Sequence, residues 1–466
     1  MKKAYFIGIA GRTMGALAKA LKDLGWQVLG SDRKGIYPPM SIFLKENGLA
    51  YFEGYEEKNV PLDADLVVVG YSPLLIDANN PEYLMAKKLG LKVVSYPEVL
   101  KDLLIKENSI VVAGTYGKTT ITLLISWILT CSGKNPCFMS GGISPDLKDG
   151  VKITDSAWSV VEGDEVPSLL KADPPKFMFY RPKYLVLTAT KWDHPEIYGD
   201  EESYLSAFKK LIELLPEDGL LVYNPDSVNN DLVQTAKCPK VSYSLNNSST
   251  DYYIKSYSHN DNKTSFELNK NDIASKTLLL GKTNLENICA AIATADQLKI
   301  DKKIINQAIA SFRGVKIRLE YLGKLTGKYF YSDFAQHPEK VKGSLTALRE
   351  HYPKNRIICI YDPSATGLKY RKILDWFEGV FDNADQIIIG KVGFLKSIAK
   401  EERVSGHDLV KAIYKTQKNV FYEPTDENIL KWLIENSKED NVIVFMSSGG
   451  LKFTSLIGKI IRNFKK

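Results

Sequence analysis

The passage that most constrains this chain is Ala113-Gly114-Thr115-Tyr116-Gly117-Lys118-Thr119-Thr120. It lies between an apolar run, Ser109-Ile110-Val111-Val112, and a helical apolar run from Ile121 to Cys131. The first reads as a strand and the second as a helix, so the fold must supply a strand-loop-helix unit. Glycines let the backbone curl until consecutive N–H groups face one point, and the helix N-terminus adds positive potential there. Lys118 then reaches terminal phosphates, and the Thr119 hydroxyl ligates Mg²⁺. Only two residues separate the glycines, against four in the general phosphate-loop pattern. An ordinary glycine turn is the competing reading, but such a turn has little need of Gly-Lys-Thr-Thr. The passage points to a nucleotide site built from Gly114, Thr115, Gly117, Lys118, Thr119 and Thr120.

Short apolar strands alternate with helical patterns throughout, which predicts an α/β protein of parallel sheets flanked by helices. At 466 residues the chain exceeds one ordinary core, so about three domains are expected. The first covers residues 1–107, with strands at 5–7, 27–29, 66–69 and 92–94. The second covers 108–313, and the third 314–466, with strands at 356–361, 386–389 and 441–446. The polar stretch 242–264 reads as a solvent-facing β excursion of the second domain.

The charge balance is +7, from 62 basic and 55 acidic residues spread along the chain. A diffuse excess suits polyanionic substrates and carries no nucleic-acid footprint. The N-terminus enters a strand pattern at once, which is no signal peptide, and no apolar run is long enough to span a bilayer. Five scattered cysteines fit neither a zinc nor a disulfide framework, so free thiols and a cytoplasmic location are expected, with no membrane partner.

Downstream, Trp158-Ser159-Val160-Val161-Glu162-Gly163-Asp164-Glu165 is a strand ending in three acids. Hard oxygen ligands at a strand end suit a Mg²⁺ shared with nucleotide phosphates. A second strand from Tyr184 ends in Lys191-Trp192-Asp193-His194. An Asp-His pair alone is more often a capped loop, but a histidine following a strand in the phosphate-loop domain reads as a metal ligand. The N-terminal turn Gly8-Ile9-Ala10-Gly11-Arg12-Thr13-Met14-Gly15, with Asp32 ending the next strand, by itself suggests a dinucleotide site. A nicotinamide cofactor would leave the downstream ATP machinery without a purpose.

These residues together resemble the Mur ligase family. Gly-Thr-Tyr-Gly-Lys-Thr-Thr, the Glu162 cluster and Asp193-His194 look like its central domain. Gly281-Lys282-Thr283-Asn284-Leu285-Glu286-Asn287 resembles its adenine-contacting motif. Gly314-Val315-Lys316-Ile317-Arg318-Leu319-Glu320 resembles its junction, and Ser332-Asp333-Phe334-Ala335-Gln336-His337-Pro338 its Asp-Tyr/Phe-Ala-His-His-Pro motif. The resemblance implies a Rossmann-like N-terminal domain, a central P-loop ATPase domain with a parallel sheet and a Rossmann-like C-terminal domain. It implies ATP and Mg²⁺ as cofactors, and UDP-N-acetylmuramic acid plus a peptide or amino-acid donor as partners. A monomer or weak homodimer is expected. By resemblance, Thr119, Glu162 and His194 hold metal, while Asn284 and Asn287 hold adenine. Arg318 and Asp333 contact ATP, and His337 either positions the donor or the junction, or is a satisfied structural histidine. Gly11, Arg12, Thr13, Met14, Ser31, Asp32 and Ser72 hold the UDP-sugar. Lys118, Glu162, His194, Arg318, Asp333 and His337 form the catalytic set.

Residues 37–41 and 176–182 resemble the branch that ligates L-alanyl-γ-D-glutamyl-meso-diaminopimelate in peptidoglycan recycling, and that donor is the expectation here. The branch that ligates L-alanine in de novo synthesis is the alternative, and a nucleotide-binding regulator without turnover is a third reading. Several positions depart from the family pattern. Gln336 replaces a histidine, Ser332 and Lys191 replace acids, Ser364 stands in a loop that usually carries arginine, and Ser448 replaces asparagine. The drift concentrates on the amine-donor side.

Overall fold

The computed structural model describes residues 1–36, 39–170, 172–194, 197–260, 263–270, 274–363, 366–393, 398–447, 458–459 and 462. The chain forms two compact units. One comprises Met1–Tyr257, Phe266–Lys276 and Thr283–Phe312; the other comprises Ser258–Ser265, Thr277–Lys282 and Arg313–Lys466.

The first unit opens with strands β1 (Lys3–Ile7), β2 (Gln27–Asp32), β3 (Ala50–Glu53), β4 (Leu66–Val69) and β5 (Val93–Ser95). They form a parallel sheet in the order β3-β2-β1-β4-β5. The order reverses beside β1, so the crevice above its C-terminal end is where a ligand binds in such sheets. The helix Arg12–Asp23 follows and buries Met14, Leu17, Ala18 and Leu21 beneath it. A Cβ at Gly30 would lie 2.7 Å from the Phe6 carbonyl oxygen, so only glycine lets β2 approach the start of this crossover.

A ten-stranded sheet follows, made of β6 (Asn108–Ala113), β7 (Cys137–Met139), β8 (Val151–Lys152), β9 (Trp158–Gly163), β10 (Tyr184–Leu187), β11 (Leu220–Tyr223), β12 (Lys240–Ser244), β13 (Tyr252–Asn260), β14 (Lys263–Leu268) and β15 (Ala274–Thr277). Its order is β15-β14-β13-β12-β11-β10-β6-β9-β7-β8. Strand β6 is central, parallel to both β9 and β10. From Ser109 to Ala113 it is buried, as expected for a parallel strand covered on both faces. Ala113 is level with Gly163 on one side and Leu187 on the other, so the phosphate loop, the acid cluster and the segment after Leu187 emerge together. Within the stretch read as a polar excursion, Tyr243, Ser244, Tyr252 and Ile254 are buried, and exposure is concentrated in the later residues of β13, whose end belongs to the second unit.

The second unit carries β16 (Glu320–Leu325), β17 (Lys328–Asp333), β18 (Ile357–Asp362), β19 (Gln386–Ile389), β20 (Val420–Tyr422) and β21 (Val442–Ser447), ordered β16-β17-β21-β18-β19-β20. Only β16–β17 is antiparallel. Among the described residues no helix is long and apolar enough to cross a membrane. All five cysteines are free, four of them buried.

Candidate active site

The phosphate loop joins β6 to the helix Lys118–Cys131 and is clamped from the neighbouring strands. Gly114 has φ +126°, and a Cβ there would collide with the Thr188 hydroxyl and lie 2.7 Å from the Ala189 nitrogen. Thr188 Oγ1 donates to the Tyr116 carbonyl at 2.5 Å, and Thr115 Oγ1 donates to the Lys191 carbonyl at 2.7 Å. The Thr115 side chain therefore shapes the loop. Gly117 has φ +82°, and a Cβ there would lie 2.5 Å from Asn287 Oδ1. This contact sets the first turn of the helix Lys282–Gln297 against the loop, with Asn287 Nδ2 donating to Asn284 Oδ1 at 3.3 Å. Thr120 sits half-buried in the first turn of the helix that follows the loop.

Thr119 Oγ1 donates to Glu162 Oε1 at 2.9 Å, and Glu162 Oε2 accepts from Gly141 N at 2.8 Å. Lys118 Nζ is 2.5 Å from Glu165 Oε2. Burial pushes the Glu165 carboxyl above its ordinary range, while the Lys118 ammonium pulls it back. Glu165 Oε1 lies 3.6 Å from His194 Nε2, and ligand atoms of Glu165, Asp193 and His194 all fall within 4.8 Å of one another. His194 holds a left-handed φ of +58°, with its backbone N–H donating to Asp193 Oδ1 at 2.8 Å.

The donor set suits Mg²⁺: hydroxyl and carboxylate oxygens at Thr119 and Glu162, then carboxylates and an imidazole at the second cluster. The sequence reading singles out Glu162 and His194 and leaves Glu165 aside. The signal was the third acid of Glu-Gly-Asp-Glu, one residue beyond Asp164. Asp164 instead pairs with Lys176 at 2.6 Å. Burial opposes its ionisation, yet Lys176 and then Lys118 hold it below the ordinary range.

The N-terminal turn expected on the UDP-sugar joins β1 to the helix Arg12–Asp23. The helix Arg12–Asp23 starts at Gly11, whose lack of a side chain leaves no cap on the first N–H groups. Arg12 and Thr13 stand on that open turn. Met14 is only 5% exposed and packs into the core. Ser31 is buried, and its hydroxyl donates to the buried Glu82 carboxylate, which also accepts from Asn59 Nδ2 at 2.8 Å. Asp32 accepts from Ala10 N at 2.7 Å and from Arg33 N at 2.8 Å, so both its oxygens close the turn. Of the residues expected on the UDP-sugar, Ser31 and Asp32 thus make hydrogen bonds within the crossover, and Met14 is packed in the core. Ser72 is exposed in the first turn of the short helix Tyr71–Ile76.

The same unit joins the two sites. Lys19 pairs with Asp149 at 3.0 Å, and a Cβ at Gly150 would meet Ala16 at 3.3 Å. That segment runs back through Ser140 and Gly141 to Glu162.

In the second unit the Arg318 guanidinium lies 5.2 Å from the Phe334 ring centroid. Asp333, expected on ATP, is 5% exposed and turned inward, accepting from Ala335 N at 3.1 Å and from the Ser344 hydroxyl. Its carboxylate organises the turn after β17. His337 stands at the N-cap position of the helix Pro338–His351, without a side-chain cap hydrogen bond, and borders a cavity of about 400 Å³ shared with Lys340, Tyr370, Lys372 and Trp376. Gln336, replacing a histidine, bridges strand ends by donating to the Asp362 carbonyl at 3.0 Å. Tyr37, Pro38, Ser364 and Ser448 lie outside the described residues.

Three family descriptions match this chain in succession: Mur ligase family, catalytic domain, over residues 3–107; Mur ligase middle domain over 169–295; and Mur ligase, glutamate ligase domain, over 317–449. A UDP-N-acetylmuramate–L-alanine ligase from Caldicellulosiruptor bescii is 30% identical across 97% of each chain. The chain belongs to the Mur ligase family. As a Mur ligase it forms a C–N bond at the expense of ATP, on three α/β domains. A tripeptide ligase from Haemophilus influenzae, specific by name for L-alanyl-gamma-D-glutamyl-meso-2,6-diaminoheptandioate, is 28% identical over 84% of this chain and 85% of its own. In fold, the UDP-N-acetylmuramate-alanine ligase of Thermotoga maritima matches with TM-score 0.79 at 22% identity, covering 100% of this chain and 99% of that one. A murein peptide ligase from Psychrobacter arcticus matches at 0.65 and 23%, with the same coverage.

Proposed function

We propose that this Mur ligase joins the lactyl carboxylate of UDP-N-acetylmuramic acid to the amine of L-alanine. The observation that carries the ligase chemistry is the adjacency of Lys118–Glu165 and Thr119–Glu162 at the end of β6. The donor assignment reverses the expectation drawn from residues 37–41 and 176–182. Its support is the alanine ligase of Caldicellulosiruptor bescii, alike at 30% over nearly the full length, ahead of the tripeptide ligase at 28% over 84% of this chain.

In this reading, Gly11, Arg12 and Thr13 receive the diphosphate of the UDP-sugar at the open helix end. The loop N–H groups from Gly114 to Thr120 receive ATP, and Lys118 leaves Glu165 for the γ-phosphate. A lactyl carboxylate oxygen attacks the γ-phosphorus, ADP departs, and an acyl phosphate forms. The donor nitrogen attacks the acyl carbon, loses a proton, and inorganic phosphate leaves with its C–O bond broken. Phosphoryl transfer of this kind needs positioning and charge neutralisation more than a protein nucleophile. Mg²⁺ held by Thr119 and Glu162, with a second ion at Glu165, Asp193 and His194, would supply that neutralisation. Residues 1–107 thus serve the UDP-sugar, 108–313 the nucleotide and 314–466 the donor, with His337 bordering the donor's place.

One observation favours the tripeptide as donor instead. The cavity beside His337 has about 400 Å³ and two lysines on its lining, which is more room and charge than alanine uses. A donor panel decides between them: phosphate release from ATP, Mg²⁺ and UDP-N-acetylmuramic acid with L-alanine or tripeptide in parallel. Release with L-alanine supports the first reading, release with tripeptide alone replaces it by the second, and silence with both refutes the ligase assignment to this sugar.

A further inference from the structure

The chain between β7 and β8 touches the Glu162 carboxylate at one end and the helix Arg12–Asp23 at the other, and the phosphoryl chemistry uses none of its side chains. Its neck is closed by Ser140 N, which donates to the Gly150 carbonyl at 2.8 Å. On one side of the neck, Gly141 N and Ser140 Oγ both donate to Glu162 Oε2, at 2.8 Å and 3.2 Å, while Glu162 Oε1 accepts from Thr119 Oγ1. On the other side, Asp149 Oδ1 pairs with Lys19 Nζ at 3.0 Å, and Lys19 also pairs with Asp23 at 2.6 Å. Gly150 approaches the helix so closely that an added Cβ would lie 3.3 Å from the Ala16 side chain and 3.5 Å from the Ser140 carbonyl oxygen. Ala16 and Lys19 stand about one and two helical turns beyond Arg12.

The turn between these ends is bonded to itself. Lys148 N donates to the Ser144 carbonyl at 2.8 Å, and Asp146 N donates to the buried Ser144 hydroxyl at 3.2 Å. Gly141 and Gly142 flank it on one side and Gly150 on the other, so backbone freedom is concentrated at its two ends. The Lys19–Asp149 pair is partly exposed, and such pairs add little to stability. What it does here is fix the position of Asp149 against the helix.

We propose that residues 140–150 form a strap through which the UDP-sugar and the nucleotide strengthen each other's binding, with Lys19 and Asp149 as its positioning residues. A ligand that engages Thr119 and Glu162 fixes the Glu162 carboxylate, and the carboxylate fixes Ser140 and Gly141. The neck carries that restraint to Gly150 and Asp149. The helix Arg12–Asp23, held there through Ala16 and Lys19, then presents Arg12 and Thr13 to the diphosphate in a fixed position. A group already held in place loses less freedom when its ligand arrives, which is favourable cooperativity. Linkage makes the effect reciprocal, so the sugar nucleotide tightens the nucleotide site by the same factor. The inference rests on the reading that the phosphate loop binds ATP and the first turn binds the UDP-sugar.

The test is calorimetric titration of the full chain with UDP-N-acetylmuramic acid, with and without saturating Mg²⁺ and the β,γ-imido analogue of ATP, which does not pass on its phosphoryl group. Wild type is expected to bind the sugar nucleotide at least about fivefold tighter with the analogue present. Lys19→Met is expected to cut that ratio to about twofold or less while each ligand alone binds within about twofold of wild type, and Lys19→Arg to keep the wild-type ratio. Asp149→Asn breaks the same pair from the other side and should give the same loss. A wild-type ratio of one, which needs no variant, overturns the proposal. An unchanged ratio in folded Lys19→Met or Asp149→Asn does the same. So does a fall in both single-ligand affinities with the ratio preserved, which would make the pair merely structural. Failure of wild type to bind the analogue alone, or the sugar nucleotide under either condition, refutes the underlying site assignment; binding of both without coupling refutes only the strap.

Discussion

Lys118 and Glu165 neutralise each other in a place where only 1% of the Glu165 side chain meets solvent. Ligand binding that draws Lys118 away leaves Glu165 to be matched by another cation, which is why Asp193 and His194 beside it make a coherent site. Removal of Lys118 exposes the cost. The Glu165 carboxyl already titrates higher in the folded chain than in the unfolded one, so ionising it as pH rises costs stability. Lys118→Ala enlarges that cost: a loss of about 1–3 kcal/mol is expected near neutral pH. The gap to wild type should narrow as pH falls toward the ordinary carboxylate range, and thermal melts across pH would show it. A loss independent of pH contradicts this assignment of Glu165. Ser31 offers a second check at this scale. Because its hydroxyl serves Glu82, Ser31→Ala should cost about 1–2 kcal/mol in denaturant melts. The KM for the UDP-sugar should stay within about twofold of wild type. A large KM change with unchanged stability would return Ser31 to the substrate.

At the scale of elements, the phosphate loop owes its shape to glycines that no other residue can replace. Gly114→Ala forces a Cβ onto Thr188 at a left-handed φ, so the loop must move, and a shift of that kind costs about 100-fold in kcat/KM for ATP. Steady-state kinetics at saturating UDP-sugar would measure it; wild-type kinetics would mean the loop does not bind the triphosphate. The strand-loop-helix units around β1 and β6 were legible because buried parallel strands leave unbroken apolar runs and glycine turns leave fixed spacings. Strand β3 was not, since Ala50–Glu53 lies at a sheet edge with mostly exposed side chains and no apolar alternation. Residue types at the site were legible for the same local reason, whereas their orientation was not. The side chains of Met14, Ser31 and Asp333 are buried, and that of Asp32 is half-buried and hydrogen-bonded to its own turn. Nothing in a single sequence tells a serine on a ligand from a serine on a buried glutamate.

On the scale of the molecule, the side chains proposed to ligate metal lie beside the ten-stranded sheet, while Gly11, Arg12 and Thr13, proposed for the UDP-sugar, follow a strand of the five-stranded one. Chelation with EDTA should therefore abolish phosphate release while leaving UDP-sugar binding within about twofold, as read by calorimetry. Loss of both would place the metal on the sugar's binding site. The central claim, that the carboxylate of the sugar is activated by phosphorylation, has a more direct test. UDP-N-acetylmuramic acid carrying ¹⁸O in its lactyl carboxylate is turned over with ATP, Mg²⁺ and the donor that supports turnover, and the released phosphate is analysed by mass spectrometry. An acyl phosphate requires one ¹⁸O to leave with each phosphate formed. Phosphate free of ¹⁸O, alongside amide product, would contradict the account.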